Sequence, residues 1–175
     1  ATSTDGGLTF SRSAALGGAH PIASPGSYVY DVYAVGSTVY AATNDGVSIS
    51  PDGGVTWTNS TTGLGSGIVR GVYAVGSTVY AATEGGLSIS TNGGVSFDNM
   101  TIAQGLGSNV VRGVYAVGST VYAATQGGLS ISTKGGLGTD LDTFTNKTTA
   151  QGLGSNVVVD VYAVGSTVYA ATGGG

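Results

Sequence analysis

Cysteine is absent from this chain of 175 residues, and histidine occurs once, as His20. Without cysteine the chain can form neither a disulfide nor a thiolate metal site, and a single histidine cannot build a histidine-rich metal centre. We therefore expect the protein to use no metal and no cofactor.

Charge is also scarce, with five basic and nine acidic side chains and a net charge of −4. The basic residues are scattered, so no basic stripe could neutralise a phosphate backbone, and we expect no nucleic-acid partner. No apolar run approaches the roughly 20 residues that span a bilayer, so we expect no membrane span. Three prolines are too few for collagen, and 41% hydrophobic residues are too many for a disordered chain.

Glycine is abundant, with 33 residues, and most of it lies in the turns of an internal repeat. The sequence VYAVGSTVYAAT occurs four times without change, beginning at Val32, Val72, Val114 and Val161. A second block follows the first three copies, at 47–57, 87–97 and 129–136, and the last of these leads through an insertion to Phe144. The fourth copy of this block lies at the other end of the chain, at 3–10.

Each repeat predicts four short strands, because β-prone segments alternate with Gly-Ser and Gly-Gly turns and no segment has the period of an amphipathic helix. Four strands in roughly 40 to 47 residues, repeated, are typical of β-propeller blades. We expect an all-β fold of one domain over 1–175, a small β-propeller of four four-stranded antiparallel blades with almost no helix. The closing blade would combine 160–175 with 1–13. The alternative is a dimer whose two chains share an eight-bladed ring.

The segment at 50–57, SPDGGVTW, resembles the Asp-box of the bacterial neuraminidase-type repeat, which is found in sialidase-like and sortilin-like propellers. The match extends to 3–10, weakens where Asn92 takes the Asp position, and fails at Lys134. This is a resemblance of scaffold, and it implies that Asp5, Asp52 and Asn92 form turns between the third and fourth strands and do not catalyse a reaction.

A sialidase of the family that the chain resembles would need three converging arginines, a tyrosine nucleophile and a glutamate. The chain has only the arginines at 12, 70 and 112 and the single glutamate Glu84. We therefore expect a protein that is not an enzyme.

Four charged residues lie at equivalent places near the start of the innermost strands: Asp31, Arg70, Arg112 and Asp160. We expect them to ring the axial mouth of the propeller and to form ion pairs there. The remote alternative is a glycoside hydrolase that uses the two aspartates as its carboxylate pair.

Three N-glycosylation acceptor sequences lie two residues beyond the aromatic residue of each block, at Asn59, Asn99 and Asn146. Used sites would place sugar on the rim of the disc. The alternative is one ancestral Asn-x-Thr that was copied with the repeat and never modified.

Together these features favour a non-catalytic, extracellular and glycosylated structural subunit of a cell-surface filament, layer or sheath, in its mature form after removal of a leader. The segment 1–3 would pair as a strand with the open blade of a neighbouring copy, giving a homo-oligomer or polymer. The alternative is a lectin-like module that binds glycans by stacking them on Trp57, Phe97 and Phe144.

Overall fold

The computed structural model describes residues 28–138 and 143–174, and the described chain is almost entirely β-structure. Its strands are β1 Val29–Val35, β2 Thr38–Thr43, β3 Gly46–Ser50, β4 Thr58–Ser60, β5 Val69–Val75, β6 Thr78–Thr83, β7 Gly86–Ser90, β8 Asp98–Met100, β9 Val111–Val117, β10 Thr120–Thr125, β11 Gly128–Ser132, β12 Thr145–Lys147, β13 Val158–Val164 and β14 Thr167–Thr172. Helix is limited, in the described part, to two single 3-10 turns, Ile102–Gln104 and Thr149–Gln151.

The strands form three complete blades and the inner half of a fourth. Blade 1 contains β1 to β4, blade 2 contains β5 to β8 and blade 3 contains β9 to β12, each in sequential order. Blade 4 consists of β13 and β14 in the described residues. The prediction that 1–13 completes this blade, and the turn prediction for Asp5, lie outside the described residues.

The inner hairpin of every blade turns at a glycine with a positive φ. In blade 2, Gly76 has φ +58°, and the following Ser77 has a negative φ. Glycine at the first central position gives a type II′ turn, whose twist matches that of the strands it joins. The Gly-Ser pair therefore sets the register in which Tyr73 faces Tyr80 across the hairpin.

The core lies between blades. On blade 2, Val72, Ala74 and Phe97 pack toward blade 1, whereas Leu87 and Ile89 pack toward blade 3. Each blade thus has one apolar face for the preceding blade and another for the following blade, which explains the continuous apolar content of the repeat.

The innermost strands pack side by side in chain order, with β5 between β1 and β9, and β13 against β9. One tyrosine from each strand joins a series of ring contacts: Tyr33 to Tyr73 at 4.5 Å, Tyr73 to Tyr115 at 4.7 Å and Tyr115 to Tyr162 at 4.8 Å between centroids. No ring contact joins Tyr33 to Tyr162 in the described structure. Burial, with hydrogen bonds to Tyr33 and Tyr115, raises the pKa of Tyr73.

The two ends of the blade series expose apolar faces, whereas the equivalent faces inside the series are buried against a neighbouring blade. Val32, on the face of blade 1 that no described blade covers, is 56% exposed, whereas its equivalent Val72 is 3% exposed. At the other end, Tyr169 is 60% exposed, whereas its equivalent Tyr80 is 5% exposed. We call the first surface the leading face (Val29, Val32, Ala34) and the second the trailing face (Tyr162, Tyr169, Ala171).

Candidate functional site

A pocket of about 390 Å³ opens where the first strands of all four repeats begin. We call it the axial pocket. Its lining includes the four predicted charged residues together with Tyr30 and Val159: Asp31, Arg70, Arg112 and Asp160. The structure therefore gathers the predicted residues at one mouth, as their equivalent repeat positions indicate.

The prediction that these four residues form ion pairs with one another is wrong for the described structure. The one ion pair in the described residues joins Arg70 to Glu84, and both Nε and Nη2 of Arg70 donate to Glu84 Oε1. Glu84 follows Thr83, which pairs with Val69 across the hairpin, so the register places it beside Arg70. These hydrogen bonds raise the pKa of the Arg70 guanidinium, which also lies over the ring of Tyr30 at 4.6 Å.

The aspartates bind backbone amides and not arginines. Asp31 Oδ1 accepts from the N–H of Val32 over 2.8 Å, and Oδ2 accepts from the N–H of Val72 in the next blade over 3.0 Å. Asp160 Oδ1 accepts from the N–H of Val161 over 2.9 Å. Since each of its oxygens binds an N–H of a different blade, Asp31 is a blade-joining residue in this structure.

Arg112 differs from Arg70 because the position equivalent to Glu84 in its repeat is not acidic. Gln126 takes the place of Glu84, following Thr125, which pairs with Val111. No hydrogen bond joins Gln126 to Arg112 among the described residues, and Arg112 Nε is buried without any hydrogen-bond partner. In the described structure, the axial pocket thus contains one arginine neutralised by Glu84 and one without a counter-ion.

Asp52 organises the turn that the Asp-box resemblance implies. Its Oδ1 accepts from the backbone N–H groups of Val55 and Thr56 over 3.1 and 2.8 Å, and its Oδ2 accepts from the Thr56 hydroxyl over 2.5 Å. The Ser50 hydroxyl donates to Asp52 Oδ1. These bonds, the Thr56 hydroxyl first, lower the pKa of Asp52 to about 2.

Asn92 holds the equivalent turn in blade 2. Its Oδ1 accepts from the N–H of Ser96 over 3.1 Å and its Nδ2 donates to the Ser96 hydroxyl over 2.9 Å. An amide therefore replaces the carboxylate without loss of the turn.

The three predicted glycosylation sites are strand-pairing residues. In blade 2, Asn99 Nδ2 donates to the carbonyl of Gly85 over 2.9 Å, and Asn99 Oδ1 accepts from the Ser88 hydroxyl over 2.9 Å. Asn59 repeats the pattern, with Nδ2 donating to the carbonyl of Asp45. Asn146 Nδ2 donates instead to the carbonyl of Gly105, at the end of the 3-10 turn between blades 2 and 3. At each site one hydrogen of the amide nitrogen is thus bonded to a backbone carbonyl.

The predicted stacking aromatics are mostly unavailable. Phe97 and Phe144 are 6% and 3% exposed and belong to the cores between blades. Trp57 is half-buried, and its Nε1 donates to the carbonyl of Gly54 over 3.0 Å. The prediction that Phe97 and Phe144 stack on sugars is wrong, because each of these side chains, just before a fourth strand, packs inward between blades.

Among the described residues no cluster of three metal-ligating side chains is present, and no helix is long and apolar enough to cross a membrane. Sequence reasoning missed the roles of Glu84 and Gln126. An alignment of the repeats could have found these roles, because Glu84 and Gln126 occupy the same repeat position. The position is acidic in the repeat of Arg70 and neutral in the repeat of Arg112.

No protein-family model matches the chain, and no curated protein matches it. Solved structures do. The computationally designed Ika4 protein gives a TM-score of 0.63 at 10% identity, covering 85% of this chain and 87% of that one. The ancestral GH74 enzyme AFV00434 gives 0.62 at 22% identity, covering 81% of this chain and 21% of that one.

The extracellular domain of BT4673 from B. thetaiotaomicron gives a TM-score of 0.65 at 12% identity, covering 84% of this chain and 23% of that one. The chain therefore spans about a fifth of the length of the last two proteins. Such likeness shows the fold alone. The prediction of an all-β, small β-propeller with almost no helix is confirmed.

Proposed function

We propose that this propeller is a non-catalytic structural subunit that assembles with copies of itself, head to tail, outside the cell. The observation that carries the proposal is the pair of uncovered apolar faces at the two ends of the blade series. Within the chain, the same kinds of side chain are buried wherever one blade follows another. The proposed contact repeats that internal interface between two chains.

The side chains on the two faces are those that pair inside the chain. Between blades 1 and 2, the leading-type residues Val72 and Ala74 pack with the trailing-type residues Tyr33 and Tyr40. The leading face offers Val32 and Ala34, and the trailing face offers Tyr162 and Tyr169, in the same repeat positions. Because the two faces differ, the contact is heterologous, and such contacts build closed rings or open filaments.

A second contact is available at the edge of blade 4. In blades 1 to 3 the second strand pairs with a third strand, whereas β14 pairs only with β13 in the described structure. We propose that residues 1–3 of a neighbouring copy add to this edge, so that main-chain hydrogen bonds reinforce the contact between faces.

The extracellular location and the absence of catalysis are part of the proposal. The BT4673 neighbour is an extracellular domain, which supports the location, and the backbone bonds of Asp31 support a structural role for that residue. Glycosylation of the rim at Asn59, Asn99 and Asn146 is part of the proposal, and the intact mass of the secreted protein tests it. The lectin-like alternative loses its stacking surfaces with the burial of Phe97 and Phe144.

Sedimentation equilibrium over a range of concentrations tests the assembly. We expect masses above that of one chain for the wild type, and a single-chain mass for Val32→Asp or Tyr169→Asp, because a carboxylate buried in the contact lacks a partner. Val117→Asp is the matched control, since Val117 is exposed at a hairpin turn, outside both faces. It should assemble as the wild type does.

Removal of residues 1–13 distinguishes the contribution of strand addition to assembly from that of the contact between faces. If strand addition reinforces assembly, the shortened chain should associate more weakly than the full chain, while Val32→Asp abolishes association in either. A strictly monomeric wild type at high concentration would exclude the proposal.

A further inference from the structure

The axial pocket contains an arginine that its own blade does not neutralise. In blade 2, the carboxylate of Glu84 takes the Nε and Nη2 hydrogens of Arg70. In blade 3, Gln126 stands at the same register position, and Arg112 Nε has no acceptor among the described residues. A buried guanidinium nitrogen without a hydrogen bond is costly, so the side chain is poised to turn toward a carboxylate that enters the pocket.

The remaining charges limit the ligand. Asp31 and Asp160 also line the pocket, and Arg70 is already balanced by Glu84. A multiply charged anion such as phosphate would meet two fixed carboxylates with only one unbalanced cation to offset them. A single carboxylate, by contrast, matches the one positive charge in the pocket that has no counter-ion among the described residues, that of Arg112.

Asp160 gives the pocket a second polar contact. Its Oδ1 binds the backbone N–H of Val161, and its Oδ2 makes no hydrogen bond to the described residues. Arg112 and Asp160 form no ion pair with each other in the described structure, although both line the same pocket. A ligand between them can therefore give a carboxylate to Arg112 and an ammonium group to Asp160.

The rest of the wall is apolar and of suitable size. Val114 and Val159 line the pocket beside the ring of Tyr30, and its volume of about 390 Å³ lies in the range of small-molecule sites. We infer that the axial pocket binds a small zwitterion of the α-amino-acid type with an apolar side chain. Arg112 holds its carboxylate, Asp160 holds its ammonium group, and the apolar wall holds its side chain. This site is separate from the assembly faces.

Calorimetric titration with L-leucine tests the inference, alongside observation of the Arg112 Nε–H resonance by NMR. L-leucine should bind and shift that resonance. Leucinamide, which lacks the carboxylate, and 4-methylpentanoate, which lacks the ammonium group, should each bind at least about tenfold more weakly. Inorganic phosphate should leave the resonance unchanged. Equal binding of leucinamide and L-leucine would overturn the assignment to Arg112, and equal binding of 4-methylpentanoate would overturn the assignment to Asp160.

The repeat supplies a sharp variant. Gln126→Glu should give Arg112 the internal partner that Arg70 has, and so abolish binding while preserving the fold. Ser119→Glu adds the same charge at the far end of the blade 3 hairpin and should bind L-leucine as the wild type does. Arg112→Gln removes the guanidinium itself and should also abolish L-leucine binding. Absence of L-leucine binding by the wild type, or unchanged binding by Gln126→Glu and Arg112→Gln, would refute the site.

Discussion

The carboxylate of Asp31 in blade 1 accepts a hydrogen bond from the backbone N–H of Val72 in blade 2 over 3.0 Å. Its other oxygen accepts from the N–H of Val32 in its own blade. One side chain thus joins two neighbouring innermost strands at the point where the axial pocket begins. The residue before Val72 is Gly71, and a Cβ at this position would approach the carbonyl oxygen of Arg112 in blade 3 to 3.2 Å.

We expect Asp31→Asn to lower the free energy of unfolding by about 1 kcal/mol, because an amide can accept from only one of the two N–H groups and presents a donor to the other. Guanidinium chloride unfolding measures the change. Asp160→Asn is the control, since Asp160 binds one N–H within its own blade and none across blades in the described structure. A loss of equal size in both variants would contradict the blade-joining role of Asp31.

Asp52 should make stability depend on pH in acid. Its pKa is about 2 in the folded protein and 3.8 when unperturbed. A lowered folded pKa contributes stability that is fully present above pH 3.8 and is lost as the pH falls toward 2. Thermal unfolding of the wild type should therefore weaken over this range more than that of Asp52→Asn.

Asp52→Asn should remain folded at neutral pH, because Asn92 holds the same turn in blade 2 with an amide. The comparison is made as the difference in Tm between the two proteins from pH 5 to pH 2. A difference that does not change with pH would show that the Asp52 carboxylate contributes no pH-dependent stability.

Asn99 should matter for stability through its hydrogen bond to the backbone. Asn99→Asp replaces the donor to the Gly85 carbonyl with an oxygen, and we expect a loss of about 1 to 3 kcal/mol in the free energy of unfolding. Asp98→Asn, on the exposed side of the same strand β8, should change it by less than about 0.5 kcal/mol. An Asn99→Asp variant as stable as the wild type would contradict the backbone-bonding role.

The positions of the strands could be predicted from the sequence because the same strand block occurs four times, each time with a glycine at the hairpin turn. The gathering of Asp31, Arg70, Arg112 and Asp160 at one mouth followed from their equivalent positions. Their partners did not follow, because pairing depends on cross-strand register, which places Glu84 beside Arg70 and leaves the aspartate oxygens facing N–H groups. The burial of Phe97 was hidden for a similar reason. Its inward direction is decided by the neighbouring blade, which local alternation does not reveal.

The unchanged strand block in all four repeats has a kinetic consequence. Every described strand pair joins near neighbours in the sequence, so folding can begin in any of these hairpins and spread to the next. For the same reason, a hairpin from another molecule offers the same side chains as the chain's own. At low concentration the order of blades is therefore set by the covalent linkers. In a crowded refolding mixture, exchange of whole hairpins between molecules becomes the chief kinetic trap.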